Sequence, residues 1–197
     1  CRKNPDVARA VSAAALTLPD GIGIIYGAKI LKTPLPERVA GFDFAMGLLA
    51  RLAARGKSVF LLGAKPGVAE MAAEKLLSTH PGLVIAGTQD GYFQEDEPVL
   101  EKINVAAPDL LLVCLGAPKQ ELFMEKNAAR LNVGLMIGLG GSLDVLSGTV
   151  QLVNNSGSMP ITGSATTNTT LKADLSGLSP ASAQSGSGKV TYQWYRD

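Results

Sequence analysis

Hydrophobic and polar positions along the first 150 residues form alternating blocks, each with its own period. Four apolar runs of strand length occupy residues 58–63, 83–87, 110–115 and 134–139. Short apolar runs that end at turn residues are typical of strands buried on both faces. Helix-like segments separate the runs, so the pattern predicts βαβ units and a mostly parallel α/β sheet.

The predicted helices have an apolar face with a helical period. In residues 42–55, Phe42, Ala45, Met46, Leu49 and Leu52 recur at helical spacing and form one continuous stripe. Proline and glycine residues delimit the other helical segments, which are predicted at residues 5–15, 68–78, 95–106 and 119–131.

Composition changes near residue 150. Residues 151–197 carry few charges and are rich in Ser, Thr, Gly and Asn, which is typical of loops, short strands or disorder. The chain is therefore divided into an α/β domain at residues 1–150 and a polar tail at residues 151–197.

Charge and cysteine content exclude several classes of protein. The net charge of +1 and the lack of a basic stripe argue against nucleic acid as a partner. The two cysteines are Cys1 and Cys114, and Cys114 is expected to be a core thiol because it lies in an apolar run. Their number provides neither a disulfide framework nor zinc-ligand spacing, and no apolar run is long enough to span a membrane. These features suit a cytoplasmic setting.

The polar loops that follow the strands are the first place to expect a site, because open α/β sheets bind ligands at the carboxyl ends of their strands. Lys119, Gln120 and Glu121 begin the helix after the third run, where backbone N–H groups favour an anion. Gln120 can hydrogen-bond a sugar or a base. The alternative role for Glu121 is helix capping.

Two further loops carry candidate nucleotide contacts. Tyr92 follows the turn residues Asp90 and Gly91, so its ring can either stack on a nucleobase or pack against the sheet. Gly141 and Asp144 belong to a glycine-rich turn of the kind that faces a phosphate or a ribose. Glycine there lets a ligand approach the main chain.

Asp20 and Arg38 lie in stiff, proline-containing loops. Asp20 is either a turn residue that caps a helix beginning near Ile22 or a general base. The planar fork of Arg38 suits a diphosphate, and the alternative is a surface ion pair with Glu37 or Asp43.

These segments, in this order, resemble the TagA/WecG/CpsF glycosyltransferases over about residues 1–150. The resemblance implies a Rossmann-like fold with helices on both faces. It also implies metal-independent, inverting transfer of N-acetylmannosamine, or its uronic acid, from UDP to undecaprenyl-diphosphate-linked GlcNAc. Such transfer serves teichoic acid, common antigen or exopolysaccharide synthesis. No cofactor beyond the UDP-sugar donor is expected, and the protein is expected at the inner face of the cell membrane, with a homo-oligomer as a further expectation.

The resemblance also assigns roles to residues of this sequence. It implies that Asp20 is the catalytic base and that Arg38 lies near the diphosphate. The residues expected to contact UDP or the sugar are Gly91, Tyr92, Gly116, Lys119, Gln120, Glu121, Gly141 and Asp144.

The chain departs from the family at both ends. The sequence starts after the point at which family members carry a Thr-Pro-Asn-like strand, and in place of their basic, aromatic, membrane-docking appendage it continues into a tail similar to a truncated bacterial Ig-like surface repeat. Weak UDP binding and slow or no turnover are therefore expected. The alternatives are an inactive UDP-sugar-binding fragment fused to that repeat and a surface-adhesion fragment. A nicotinamide dehydrogenase is disfavoured because the glycine pattern at residues 21–27 has the wrong spacing and no preceding strand.

Overall fold

The computed structural model describes residues 4–149 and two short segments, Ile161–Thr162 and Lys172–Ala173. A four-stranded parallel sheet forms the centre of the first unit, with the order β2-β1-β3-β4. Its strands are β1 Ser58–Gly63, β2 Val84–Gln89, β3 Leu110–Cys114 and β4 Leu135–Gly138. The predicted parallel α/β sheet is confirmed, with each strand within two residues of its predicted bounds.

Seven helices accompany the sheet in residues 4–149. They are α1 Pro5–Ala13, α2 Ile22–Ile30, α3 Gly41–Ala53, α4 Val68–Thr79, α5 Asp96–Ala106, α6 Lys119–Asn127 and α7 Ser142–Ser147. The predicted helices at residues 42–55, 68–78 and 95–106 match α3, α4 and α5 closely. The segment predicted at 119–131 ends four residues early, because α6 stops at Asn127 and backbone turns follow.

The helices cover both faces of the sheet, as the Rossmann-like expectation requires. Alternate residues of β1 point to opposite sides, as the period of a strand demands. On one side Val59 and Leu61 pack with side chains from α3, α4 and α7. On the other side Phe60 and Leu62 pack with side chains from α5 and α6.

The strand order creates a switch point in the middle of the sheet. The connection after β1 leads through α4 to β2, whereas the connection after β3 leads through α6 to β4 on the other side. The loops after β1 and β3 therefore diverge and leave a crevice between their carboxyl ends, which is the general ligand site of such sheets.

The chain divides into two compact units, residues 1–151 and residues 152–197. In the second unit β5 Ile161–Thr162 pairs antiparallel with β6 Lys172–Ala173. The proposed Ig-like repeat in the tail and the terminal Cys1 lie outside the described residues. In the described part of the chain, no helix combines the length and the hydropathy that crossing a bilayer requires.

Candidate functional site

The loops at the carboxyl ends of the four strands are joined by hydrogen bonds into one surface, which we call the loop rim (residues 64–67, 90–95, 115–118 and 139–141). Ala64 N donates to the carbonyl oxygen of Cys114 at 3.2 Å, and Gly91 N donates to the carbonyl oxygen of Ala64 at 2.9 Å. Gly140 N donates to Gln120 Oε1 at 2.8 Å. All four loops that the sequence selects are thus neighbours.

Gly91 lies directly over the crevice between β1 and β3. A β-carbon at this position would come within 3.0 Å of Leu115 Cδ2, 3.3 Å of Gly63 Cα and 3.4 Å of Ala64 N. The loop after β2 can reach the crevice because glycine has no side chain to collide with those atoms.

The backbone of Tyr92 is held by a hydrogen bond, whereas its ring is exposed to solvent. Asp90 Oδ1 accepts a hydrogen bond from Tyr92 N at 2.9 Å, which closes a short turn. The Tyr92 side chain is 63% exposed, so the packing alternative is wrong and the ring is open to a stacking partner.

Lys119 connects the loops after β2 and β3. Its ammonium group donates to the carbonyl oxygen of Gly91 at 2.9 Å and lies 4.8 Å from the centroid of the Phe93 ring. The exposed cation therefore stands at the N-terminus of α6, beside the turn that presents Tyr92.

Gln120 is buried and bonded within the protein. Its Oε1 accepts from Gly140 N, and its Nε2 donates to Glu121 Oε1 at 2.8 Å. Gly138 leaves room for this amide, because a β-carbon there would lie 3.0 Å from Gln120 Nε2. Gln120 thus fixes the loop after β4 to the start of α6.

Glu121 has one carboxylate oxygen with no partner. Glu121 Oε1 accepts the bond from Gln120, while Oε2 is buried and accepts no hydrogen bond from the described residues. A buried oxygen without a donor is costly, so a ligand hydroxyl would relieve it.

Asp144 lies half-buried in the first turn of α7, and Gly141 immediately precedes that helix. Burial, with the nearby charge of Asp144 as a smaller cause, raises the pKa of Cys114 to about 12. Cys114 is a core thiol at the end of β3, as predicted. Gly116, with φ of +75°, forms the turn that follows it.

Asp20 and Arg38 form one unit. Arg38 donates from Nη2 to Asp20 Oδ1 at 3.0 Å and from Nε to the carbonyl oxygen of Asp20. The partner of Arg38 in the described structure is therefore Asp20, and the alternative of a surface ion pair with Glu37 or Asp43 is wrong. The Asp20 side chain also does not cap α2, whose first turn receives no side-chain hydrogen bond.

The Asp20 carboxylate lies beside the end of β4. Asp20 Oδ2 accepts from Gly41 N, the first residue of α3, at 3.1 Å. A β-carbon built on Gly41 would lie 3.4 Å from Asp20 Oδ2 and 3.6 Å from Leu139 Cδ2, which belongs to the loop rim. Asp20 thus joins the same edge as Tyr92, Gln120 and Asp144.

Two contributors were missed by the sequence reasoning. Gly41 supplies the backbone donor that fixes Asp20, and no local pattern links residues 21 positions apart. Lys65, an exposed cation in the loop after β1, also belongs to the loop rim. Its place directly after a strand was the signal that could have selected it.

Two further properties of the described residues bear on the site, and they concern metal binding and surface grooves. In residues 4–149 no three His, Cys, Asp or Glu side chains cluster closely enough to hold a metal ion. A surface groove of about 440 Å³ is lined by α5 and Arg130 and includes none of the predicted site residues.

Comparison with known proteins gives a consistent picture. The model of the glycosyl transferase WecG/TagA/CpsF family matches residues 1–154. Two similar curated relatives are the N-acetylglucosaminyldiphosphoundecaprenol N-acetyl-beta-D-mannosaminyltransferases of Bacillus spizizenii and Bacillus subtilis. Each is 38% identical over 149 residues, which are 76% of this chain and 58% of the relative. The chain thus spans somewhat more than half the length of the curated relatives it matches.

Proposed function

The chain belongs to the glycosyl transferase WecG/TagA/CpsF family, and from that premise we propose that it transfers N-acetylmannosamine, or its uronic acid, from UDP to undecaprenyl-diphosphate-linked GlcNAc. The two relatives carry names that specify such an acceptor and such a sugar. The product would serve teichoic acid, common antigen or exopolysaccharide synthesis. We further propose that the transfer inverts the anomeric carbon and requires no metal.

The position of Asp20 is the observation that carries this proposal. Its carboxylate is fixed by Arg38 and Gly41 N, yet the side chain remains 54% exposed beside the loop rim. Each carboxylate oxygen has two lone pairs, so an acceptor hydroxyl can bind while both protein bonds persist. A general base must be oriented and reachable, and Asp20 is both.

The proposed reaction is a single displacement. Asp20 takes the proton of the GlcNAc hydroxyl while that oxygen forms a bond to the anomeric carbon of the donor sugar. The bond from the anomeric carbon to the β-phosphate oxygen breaks, and UDP departs from the opposite face with the electron pair. A positioned base contributes about 10²–10⁴-fold to such a step.

The departing diphosphate needs positive charge and N–H donors around it. Arg38 uses Nε and one N–H of Nη2 for Asp20, which leaves the other N–H groups of its fork for an oxygen of the diphosphate. Lys119 and the first backbone N–H groups of α6 would add to this stabilisation. Arg38 would therefore position the base and bind the leaving group together.

The uridine would occupy the opposite part of the loop rim. Tyr92 offers an exposed ring for the base, and Asp144 offers a carboxylate for the ribose hydroxyls. Glu121 Oε2 is a further acceptor for a sugar or ribose hydroxyl, because it is otherwise unsatisfied in the described structure. Gly91, Gly116 and Gly141 would let the ligand approach the main chain, and Gln120 would keep the loop after β4 in place.

The proposed acceptor carries a lipid, so the reaction would take place at a bilayer. We therefore propose that the protein lies peripherally at the inner face of the cell membrane. We also propose that it forms a homo-oligomer.

The test compares Asp20→Asn with wild type in two measurements on the full chain. Calorimetry measures the affinity for UDP, and a radiolabel assay measures transfer from UDP-N-acetylmannosamine to a lipid-diphosphate-linked GlcNAc. We expect Asp20→Asn to lower the transfer rate by about 10²–10⁴-fold. The affinity for UDP should change little.

Asp43→Asn is the matched control, since Asp43 is an exposed acid in the first turn of α3. It should leave transfer unchanged. Full-rate transfer by Asp20→Asn would remove Asp20 from its role as base. UDP binding without transfer by the wild type would instead support a non-catalytic UDP-sugar-binding protein.

A further inference from the structure

Helix α2 presents an unusually apolar surface. None of its nine residues is buried. Ile22, Tyr26 and Ile30 follow one another at intervals of four and so share one face of the helix. Their exposed fractions are 56%, 58% and 80%, and Leu31 at the helix end is 75% exposed. Contiguous apolar patches on a protein surface mark sites of interaction.

Basic residues accompany this face. Residues 21–33 contain Lys29 and Lys32 and no acidic residue. The ammonium group of Lys29 lies 6.0 Å from the centroid of the Tyr26 ring. Ile24, on the other side of the helix, is 52% exposed as well, so α2 is apolar around most of its surface. Exposed isoleucine and leucine side chains suit the acyl region of a bilayer, tyrosine is enriched at membrane interfaces, and lysine is attracted by anionic headgroups.

We propose that this face, defined by Ile22, Tyr26, Ile30 and Leu31 with Lys29 and Lys32, docks the protein on an anionic lipid bilayer. The inference rests on the proposed function, because a lipid-linked acceptor must be met where its lipid resides. Asp20 lies two residues before α2. A bilayer in contact with α2 would bring the polar head of the acceptor to the carboxylate of Asp20.

Charge favours the bilayer over a second copy of the chain. A symmetric dimer through α2 would place the same patch of each copy against the other. Lys29 and Lys32 of both copies would then lie in one interface, and residues 21–33 contain no acidic residue to offset these four positive charges. Anionic headgroups supply the opposite charge, and the acyl region accepts the isoleucines.

The experiment is co-sedimentation of the full chain with vesicles of phosphatidylcholine alone and of phosphatidylcholine with phosphatidylglycerol. We expect binding to the anionic vesicles and at least tenfold weaker binding to the neutral ones. Ile30→Asp should lower the partition to anionic vesicles at least tenfold. Val105→Asp is the matched control, since Val105 is 82% exposed on α5, and should change the partition less than twofold.

A second variant tests the charges separately. Lys29→Gln combined with Lys32→Gln should weaken anionic binding and flatten its dependence on salt, because fewer cations then meet the headgroups. Far-UV circular dichroism checks that each variant is folded, and a double Ile22→Ser, Ile30→Ser variant repeats the test without adding a charge.

Three outcomes would overturn the proposal. They are failure of the wild type to bind anionic vesicles, equal partition of wild type and Ile30→Asp, and light scattering that shows a dimer dissociated by Ile30→Asp. UDP affinity, measured on the same samples, separates this inference from the proposed function. Failure of the wild type to bind vesicles, with normal transfer and normal UDP affinity, overturns the docking proposal alone. Vesicle binding without transfer overturns the proposed glycosyltransferase function alone. Loss of vesicle binding in Ile30→Asp, with the control variant still bound, supports α2 as the membrane surface.

Discussion

Strand β3 and helix α2 are both strongly apolar in sequence, yet they differ completely in burial. All five residues of β3 are buried, whereas none of the nine residues of α2 is. β3 lies between β1 and β4 and has helices against both of its faces. Apolar composition therefore indicates only that a segment avoids water, and the neighbours of the segment decide whether the fold or an outside partner covers it.

Truncating one apolar side chain in the core around β3 and one in α2 tests this comparison most strongly; Phe60 of β1 belongs to the same core cluster as Leu111 and Val113 of β3. Phe60→Ala should lower the free energy of unfolding by about 3–5 kcal/mol, because the ring is fully buried and its removal leaves a cavity. Ile30→Ala should change it by less than about 0.5 kcal/mol, since the side chain is 80% exposed. Urea unfolding followed by circular dichroism measures both. Comparable losses would mean that α2 is covered by the protein itself.

Adding one methyl group should have opposite effects on stability in the sheet core and in α2. A β-carbon at Gly87 would lie 2.6 Å from Phe60 Cε2, so Gly87→Ala should destabilise the protein by about 1–3 kcal/mol. A β-carbon at Gly27 meets nothing within 4 Å, so Gly27→Ala should stabilise α2 by about 0.5–1 kcal/mol.

The same urea titration measures this pair. Two changes of the same sign would contradict the difference in packing. A normal stability for Gly87→Ala would show that the buried Phe60 ring can move aside, contrary to the close packing of the core.

Low pH should weaken interactions of the sheet and leave those within α2 unchanged, because α2 contains no carboxylate side chain. A hydrogen bond from Lys57, followed by one from Ser58 N, lowers the pKa of Asp109 from 3.8 to about 2. This stabilisation is present above the unfolded-state pKa and is lost as the pH falls toward 2. Asp109→Asn should therefore reduce stability at neutral pH and flatten its decline between about pH 5 and pH 2.

Lys57→Gln is the companion variant. It removes the largest cause of the shift, so the pKa of Asp109 should move back toward 3.8 and the acid decline should weaken. Denaturation midpoints measured across the pH range report both variants. An unchanged pH profile in Asp109→Asn would assign the acid sensitivity to another group, such as Asp96, whose pKa Lys126 also lowers.

Local patterns predicted the framework well because they depend on neighbouring residues. β1 has its predicted bounds, and α3, α4 and α5 begin within one residue of the prediction. Strand ends followed by polar loops also predicted which edge of the sheet carries the candidate residues. The end of α6 was misplaced because the apolar residues beyond Asn127 pack from a non-helical turn.

Contacts between distant residues could not be predicted in the same way. Arg38 was expected at a diphosphate or in a local ion pair, and its partner in the structure is Asp20. Gln120 was expected to offer its amide to a ligand, which stays a prediction; the sequence did not indicate that both ends of this amide also bond within the protein. The spacing of residues along a chain does not reveal which loops meet when the sheet assembles.

The amino-acid sequence by itself determined the parallel α/β architecture, the family, and the edge of the sheet on which chemistry-bearing residues accumulate, since periodicity and turn residues act over a few positions. Only the tertiary structure decided that Asp20 is fixed by Arg38 and Gly41, that Glu121 keeps an unsatisfied oxygen, and that α2 stays uncovered in the described residues. Those outcomes depend on which surfaces the packed sheet brings together, and packing is a property of the whole fold.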